Sequence, residues 1–312
     1  MPRHVYLQPN AADPVLPEAR VLEIARAHQP DCRRVEAVEE SGGEARTSLI
    51  DDNLVLKVQR PPQLRPLTSL AKERFVLAHL ARLPEGACVS IPRVVGEGRL
   101  EPNIDYTLLT RMPGAALRGV DLDPPRRQAA LAELGRALRR IHAAPLEPVL
   151  ASGIVPGDLS FPDTMTRIAE PLLDRAREAR DRGLAWDSPL SIEQIAGRAL
   201  SSLRPTSERA LLHSNSYEEH VFVDPSSGAF TGLIDFGDAY VSHPALDFRR
   251  WNRPEDRDAL LAGYQEAGAV SDSWLRVWRA LMIVADVNAM VQTPDRRDEA
   301  RRDLTALLAE LG

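Results

Sequence analysis

The side chains best suited to chemistry lie in two polar loops that flank a short predicted hairpin. The first loop, residues 213–220, has the sequence HSNSYEEH, and the second contains Asp235-Phe236-Gly237. Imidazole, carboxamide and carboxylate groups at the two ends of a hairpin could orient a hydroxyl group and hold a cation. A metal-dependent hydrolase is one enzyme class that these groups leave open, with the candidate ligands His213, His220, His243 and Asp235.

Lysine is so rare in this chain that each position where it occurs draws attention. Of the 39 basic residues only Lys57 and Lys72 are lysine, and the rest are arginine. Lys57 follows the apolar run 54–56, and its compact ammonium could reach phosphate oxygens from a strand. Glu73, on the next predicted helix, could hold that ammonium in place. Taken alone, Lys57 also fits an edge-strand lysine that extends to solvent, and we expect Lys72 to be an exposed helix residue.

The elements that must position these groups begin with a strand-rich N-terminal part. Apolar periodicity and β-branched runs predict helices over 17–28 and 69–83 and strands over 54–58, 91–95 and 106–110. A polar stretch without a predicted strand follows the turn Ser41-Gly42-Gly43 and extends to Ser48. This part is therefore predicted to be a small lobe with one internal helix, covering residues 1–112.

The character of the sequence changes after a short hinge near residues 110–113. A 3-4-3 spacing of apolar residues predicts one long amphipathic helix that ends near His142. Further helices are predicted over 160–205 and from Pro254 onward, with the hairpin between them. Residues 113–312 are therefore predicted to form a larger helical lobe with a small sheet insertion.

Composition excludes several functional classes. The net charge of -6 argues against a nucleic-acid binder with a basic surface, and hydrophobic and charged contents of 44% and 27% are those of a globular chain. The longest apolar stretch, 280–291, is too short for a membrane span, and no secretion signal is evident. Cys32 and Cys88 are too few for a disulfide framework. We expect a cytoplasmic protein without nucleic-acid or membrane partners.

The ordered motifs resemble those of the aminoglycoside phosphotransferase family, which comprises protein-kinase-like small-molecule kinases and includes macrolide phosphotransferase-like branches. Residues 35–57 resemble its nucleotide-covering hairpin, and 109–114 (LTRMPG) resemble its hinge. Residues 134–142 resemble the helix after the hinge, and 211–247 resemble the catalytic segment. The resemblance implies an α+β, two-lobed fold with an antiparallel sheet in the small lobe and a mostly helical large lobe.

The same resemblance implies an activity, cofactors and a partner. The family transfers the γ-phosphate of ATP or GTP, with Mg²⁺, to a hydroxyl of a small molecule such as an antibiotic. It places Gly42, Gly43, Lys57, Glu73, Thr110 and Met112 around the nucleotide, His220 and Asp235 at the metal, and His213 and Asn215 in the catalytic loop. Either a monomer or a homodimer would be consistent with this resemblance.

Two positions depart from the family pattern. Asn215 stands where the family has its catalytic aspartate, and a neutral amide can orient a hydroxyl but cannot take its proton. His220 stands where the family has a metal-binding asparagine. Glu218 and Glu219 are candidate substitute bases, and Asp238 is a candidate second acidic group. A catalytically impaired protein that binds nucleotide or ligand is therefore the alternative to an active phosphotransferase.

Overall fold

The computed structural model describes residues 6–40, 43–66, 69–84, 86, 88–100, 104–158, 160–183, 190–251 and 253–311. The chain divides into two compact units. The first comprises Met1–Asp123, Ala144–Pro156 and His213–Tyr240, and the second comprises Pro124–Ala143, Gly157–Leu212 and Val241–Gly312. The division into lobes 1–112 and 113–312 stays a prediction.

The first unit contains a five-stranded antiparallel sheet in the order β1-β2-β3-β5-β4. Its strands are β1 (Val35–Glu39), β2 (Ala45–Ile50), β3 (Leu54–Gln59), β4 (Val94–Leu100) and β5 (Ile104–Thr110). Along β3 buried and partly exposed residues alternate, so that Leu54, Leu56 and Val58 enter the core. Helix α1 (Glu18–Arg26) packs its apolar residues into that same core. Lys57 therefore projects from the opposite face of the sheet.

The apolar and β-branched patterns predicted strands at β3 and β5 but none at β1 or β2, and they placed β4 earlier in the chain. Strand β2 was predicted as a polar stretch without a strand because its inward positions include Arg46 and Ser48, which are both buried. Asp13 pairs with the Arg46 guanidinium at 3.1 Å and so satisfies its charge inside the unit. Strand β4 begins at Val94, three residues later than the predicted start.

Helix α2 (Leu70–Leu80) follows β3 and carries Glu73. The Ser69 side chain caps it by accepting a hydrogen bond from the Lys72 backbone N–H at 3.0 Å. Lys72 and Glu73 are 2% and 1% exposed, so the expectation of an exposed Lys72 was wrong. The buried ammonium of Lys72 donates to the Ala239 carbonyl at 2.9 Å, which compensates part of the cost of burying it.

The predicted hairpin is present and forms a second small sheet in the first unit. It pairs β8 (Val221–Val223) with β9 (Phe230–Leu233), and β6 (Ala115–Ala116) adds to β8. At the open end, the Ile234 N–H donates to the His220 carbonyl at 3.0 Å. This bond brings the end of loop 213–220 beside the start of the Asp235 loop.

The second unit is mainly helical, as the sequence predicts. Its helices are α3 (Pro124–His142), α5 (Phe161–Asp181), α6 (Ile192–Ser202), α7 (Pro254–Gln265), α8 (Asp272–Gln292) and α9 (Arg297–Leu311), whereas the short α4 (Glu147–Ser152) belongs to the first unit. Helices α3 and α7 approach closely through glycines, since a Cβ on Gly135 would lie 2.1 Å from the Leu260 carbonyl oxygen. Strands β7 (Ala210–Leu212) and β10 (Tyr240–Ser242) pair with each other, and β7 packs against α3.

Buried polar pairs and tryptophans anchor the helices of the second unit. His142, at the end of α3, bonds through Nε2 to the Asp247 carboxylate at 2.9 Å and through Nδ1 to the Tyr264 hydroxyl at 2.9 Å. Trp251 and Trp274 are each 1% exposed.

Over the described ranges, none of the helices has the length and apolar character that a bilayer crossing requires.

Candidate functional site

The centre of the site is an ammonium between two carboxylates. Lys57 Nζ on β3 lies 2.8 Å and 3.0 Å from the two oxygens of Glu73 on α2, and 3.1 Å from Oδ1 of Asp235. All three residues belong to the first unit. The structure thus brings together three of the residues that the sequence singled out.

Electrostatics keep Lys57 and Asp235 charged. Burial alone would lower the pKa of Lys57, but the nearby Asp235 and Glu73 carboxylates raise it above its usual value. Burial would likewise raise the pKa of Asp235, and electrostatic interactions with the Lys57 ammonium and with His220 reverse that effect and lower it. The Asp235 side chain is still 41% exposed, so its free edge can meet a ligand.

The Asp-Phe-Gly turn holds Asp235 in a specific backbone conformation. Asp235 has φ 67°, in the left-handed region that aspartate tolerates better than most residues. The next three residues form a 3-10 turn, Phe236–Asp238, in which Phe236 is fully buried. The Phe236 ring contacts the His213 ring edge-on, with centroids 4.6 Å apart. The turn therefore docks on the first loop through an aromatic contact.

His213 supports the first loop from within. It is fully buried, its Nε2 lies 2.8 Å from the Ile234 carbonyl, and its Nδ1 accepts from the Asn215 backbone N–H at 3.2 Å. A carbonyl only accepts, so Nε2 carries the proton and the ring is neutral when it makes both bonds. Both ring nitrogens are thus used to shape the loop.

His220, the last residue of the first loop, contacts both Asn215 and Asp235. Its Nδ1 donates to the Asn215 carbonyl at 2.8 Å, and its Nε2 lies 3.3 Å from Asp235 Oδ2. The two residues predicted to hold the metal, His220 and Asp235, are therefore adjacent in the structure.

A second chain of polar contacts starts at Asn215. Its Nδ2 donates to Asp238 Oδ2 at 3.5 Å, and Asp238 Oδ1 accepts from Arg65 Nη2 at 3.1 Å. Arg65 also pairs with Glu44, next to the Gly43 turn. Arg65 had no predicted role, and Asp238 was predicted only as a candidate second acidic group. Arginine is too common in this chain for one residue between two predicted elements to stand out.

Lys72 adds a second buried cation near Asp238. Burial lowers its pKa to about 8, and the Asp238 carboxylate opposes that effect. The rarity of lysine in the sequence was the signal that could have identified this residue.

Thr110, Met112 and Gly43 were also predicted to lie around the nucleotide. Thr110, at the end of β5, accepts from the Arg93 backbone N–H through Oγ1 at 2.8 Å, and Met112 is buried two residues later. A Cβ added to Gly43 would meet no atom within 4 Å, so open space lies beside Gly43. Gly42 lies outside the described residues.

Of the two residues predicted to hold the metal, Asp235 suits Mg²⁺ better than His220 does. Mg²⁺ is commonly held by one or two carboxylates together with phosphate oxygens. Asp235 can supply one such carboxylate, whereas His220 offers a nitrogen. In the described part of the chain, no group of three or more His, Cys, Asp or Glu side chains could hold a metal ion. The hydrolase alternative, with its four protein ligands, gains no support from this arrangement.

Comparison with known proteins gives a family match over most of the chain. A family model described as the phosphotransferase enzyme family matches residues 34–282. Solved structures below 25% identity share the fold. The GDP complex of wild-type aminoglycoside 2'-phosphotransferase-IIIa is 19% identical, with a TM-score of 0.61 over 95% of this chain and 98% of that one.

Two further structures give similar values. The streptomycin–ATP–APH(2")-IIa ternary complex is 16% identical, with a TM-score of 0.54 over 94% of this chain and 97% of that one. The macrolide 2'-phosphotransferase MphH from Brachybacterium faecium is 18% identical, with a TM-score of 0.56 over 92% and 97%.

Proposed function

Because this chain belongs to the phosphotransferase enzyme family, we propose that it transfers the γ-phosphate of ATP or GTP to a hydroxyl group of a small molecule. The observation that carries this proposal is the Lys57 ammonium held between Glu73 and Asp235. A lysine oriented in this way can bind phosphate oxygens, as in kinases. The acceptor class that we propose is an antibiotic of aminoglycoside or macrolide type, since the similar structures include enzymes named for both.

We assign the nucleotide-binding roles to residues that the structure describes, together with Gly42 beside Gly43. Lys57 binds the α- and β-phosphate oxygens, and Glu73 keeps its ammonium pointed at them. The backbone of the Gly42-Gly43 turn covers the phosphates, and the open space beside Gly43 leaves room for them. The hinge backbone from Thr110 to Met112 pairs with the base. Such backbone pairing suits either ATP or GTP, and the similar structures include a GDP complex and an ATP complex.

The metal position is assigned to Asp235, with His220 beside it. The Asp235 carboxylate is charged and partly exposed, so it fits a site with one protein carboxylate and several phosphate oxygens. When bound there, Mg²⁺ would neutralise charge on the phosphate oxygens. His220 holds the Asn215 carbonyl and so fixes the spacing between the catalytic loop and Asp235.

The catalytic loop orients the acceptor. Asn215 can accept or donate a hydrogen bond to the acceptor hydroxyl through its carboxamide. His213 is buried and uses both ring nitrogens within the loop, so we assign it a positioning role. Phosphoryl transfer depends mainly on positioning and electrostatics, and a neutral amide at 215 is compatible with turnover on that basis.

A thermal-shift experiment with ATP and GTP, each with and without Mg²⁺, tests the nucleotide site. We expect one or both nucleotides to raise the Tm of the native chain more with Mg²⁺ than without, because a ligand that binds the folded state stabilises it. Lys57→Ala should abolish the shift. No shift with either nucleotide would contradict the proposed function.

The second candidate function is nucleotide or ligand binding without turnover. The observation that favours it is the Asn215 carboxamide, which cannot take a proton from the acceptor. The two candidates differ in the effect of Asn215→Asp. Phosphotransfer by the native chain identifies an active enzyme, whereas transfer only after Asn215→Asp identifies the impaired form.

A further inference from the structure

A carboxylate from a different loop lies against the amide of the catalytic loop. Asn215 Nδ2 is 3.5 Å from Asp238 Oδ2, at the long end of hydrogen-bond distances. A hydroxyl bound at the Asn215 carboxamide would therefore lie near an ionisable oxygen, although residue 215 itself is neutral.

The backbone around Asp238 is well supported. Asp238 ends the 3-10 turn whose Phe236 is fully buried, and the Ala239 N–H donates back to the Phe236 carbonyl at 3.0 Å. The Lys72 ammonium fixes the Ala239 carbonyl from α2. A carboxylate held in place in this way loses little conformational entropy when it meets a substrate.

The two oxygens of Asp238 have different partners. Oδ1 accepts from Arg65 Nη2 at 3.1 Å, whereas Oδ2 faces Asn215. The side chain is 27% exposed, so a ligand can reach it. Each carboxylate oxygen has two lone pairs, and Oδ2 can accept a second hydrogen bond while it keeps the contact with Asn215.

Among the other carboxylates near the loop, Asp235 and Glu219 have different partners. Asp235 is bound by Lys57 and lies beside His220. Glu219 pairs with Arg118 at the surface. Glu219 therefore points to a different partner from Asn215, although the sequence made it a candidate base.

We propose that Asp238 is the catalytic carboxylate that receives the acceptor's proton in place of the aspartate missing at position 215. This inference rests on the proposed function. The acceptor oxygen forms a bond to the γ-phosphorus, and the bond between that phosphorus and the β,γ-bridging oxygen breaks. The bond's electron pair leaves with the nucleoside diphosphate, and the acceptor's proton moves to Asp238 Oδ2 and later to water.

The chemistry of phosphoryl transfer is compatible with this role. A loose transition state requires little proton removal before the bond to phosphorus forms, so Asp238 can receive the proton late in the step. Asn215 then has a defined task, because its N–H group holds Asp238 Oδ2 beside the hydroxyl.

Phosphate release from MgATP and MgGTP, with water as the acceptor, tests this proposal in the full-length chain. We expect Asp238→Asn to reduce the rate at least about 100-fold, the lower range of general-base effects, while the nucleotide Kd stays within about three-fold. Glu219→Gln is the matched control and should keep the native rate. Asp238→Glu retains a carboxylate and should keep more activity than Asp238→Asn.

A double variant separates a chemical role from a structural one. Asn215→Asp/Asp238→Asn places the carboxylate on the other member of the pair and should recover most of the rate that Asp238→Asn loses. The proposal is overturned if Asp238→Asn keeps the native rate, if the double variant recovers nothing, or if the native chain binds nucleotide but releases no phosphate. Absence of nucleotide binding by the native chain would instead overturn the proposed function, and this proposal with it.

Discussion

The Lys57 ammonium lies within 3.0 Å of both carboxylate oxygens of Glu73, and this pair joins strand β3 to helix α2. Glu73 is 1% exposed, so its charge has been removed from water and depends on Lys57 for compensation. Asp235 completes the arrangement at 3.1 Å from the same ammonium. The position of Lys57 is therefore fixed by two carboxylates, of which only Asp235 has a free edge for a ligand.

Glu73→Gln tests the orienting role of this pair. The amide keeps the shape of the side chain but removes its charge, so the ammonium is drawn toward Asp235 and away from the phosphates. We expect the Kd for MgATP or MgGTP, measured by calorimetry, to rise about ten-fold, the effect of losing roughly one charge-assisted hydrogen bond. Glu97→Gln, at a surface pair with Arg74, is the control. An unchanged Kd in Glu73→Gln would contradict the assignment.

His220→Asn tests the metal position. The asparagine amide can still donate to the Asn215 carbonyl, and its oxygen is a better ligand for Mg²⁺ than an imidazole nitrogen. We expect the Mg²⁺ concentration that gives a half-maximal thermal shift with nucleotide to fall. A rise in that concentration would show that the imidazole itself supports the metal.

The buried Lys72 predicts a specific pH dependence of stability. Its pKa is about 8 in the folded chain against an ordinary value of 10.5, so between these values the unfolded state binds more protons. The free energy of unfolding should therefore rise as the pH increases from 8 to 10.5, by an amount on the order of 3 kcal/mol.

Lys72→Met removes this contribution while keeping a similar volume. We expect the free energy of unfolding of the native chain, measured by urea denaturation, to rise relative to that of Lys72→Met as the pH increases from 8 to 10.5. A constant difference would show that the ammonium is not buried as described.

Asp286 in the second unit predicts the opposite slope. Burial and the neighbouring Asp303 carboxylate raise its pKa from 3.8 to about 9. The folded state then binds more protons than the unfolded state between these values, so this group's contribution to stability falls as the pH rises from 3.8 to 9.

Asp286→Asn removes that dependence and keeps an N–H donor for Asp303. We expect its Tm to exceed that of the native chain by a growing margin as the pH increases toward 9. Asp298→Asn, at an exposed pair with Arg301, is the matched control and should follow the native curve. If Asp286→Asn also followed that curve, the carboxyl group would be ionised and compensated in the folded chain.

The sequence predicted the elements that have clear periodicity. The structure has helices α1, α2 and α3, strands β3 and β5 and the β8–β9 hairpin near their predicted positions. Their residues alternate or repeat in the way that burial requires. Strand β2 was not predicted because its inward side chains are polar and find partners distant in sequence, such as Asp13 for Arg46.

The site was predictable to the extent that its residues occur in ordered motifs. Lys57, Glu73 and Asp235 were selected from their types and order, and the structure brings them together. The contact of Asp238 with Asn215 and Arg65 was not predictable, because it depends on where three separate loops meet. Lys72 was assigned to the surface because nothing in the sequence indicates the Ala239 carbonyl that holds it.

The most direct test of the central claim is mass spectrometry of candidate acceptors incubated with the native chain and MgATP or MgGTP. The panel should contain aminoglycosides, including kanamycin and streptomycin, and macrolides. We predict an acceptor that gains the mass of one phosphoryl group, with release of one nucleoside diphosphate and loss of product formation in Lys57→Ala. Binding of nucleotide with no phosphorylated acceptor, in both the native chain and Asn215→Asp, would contradict the account.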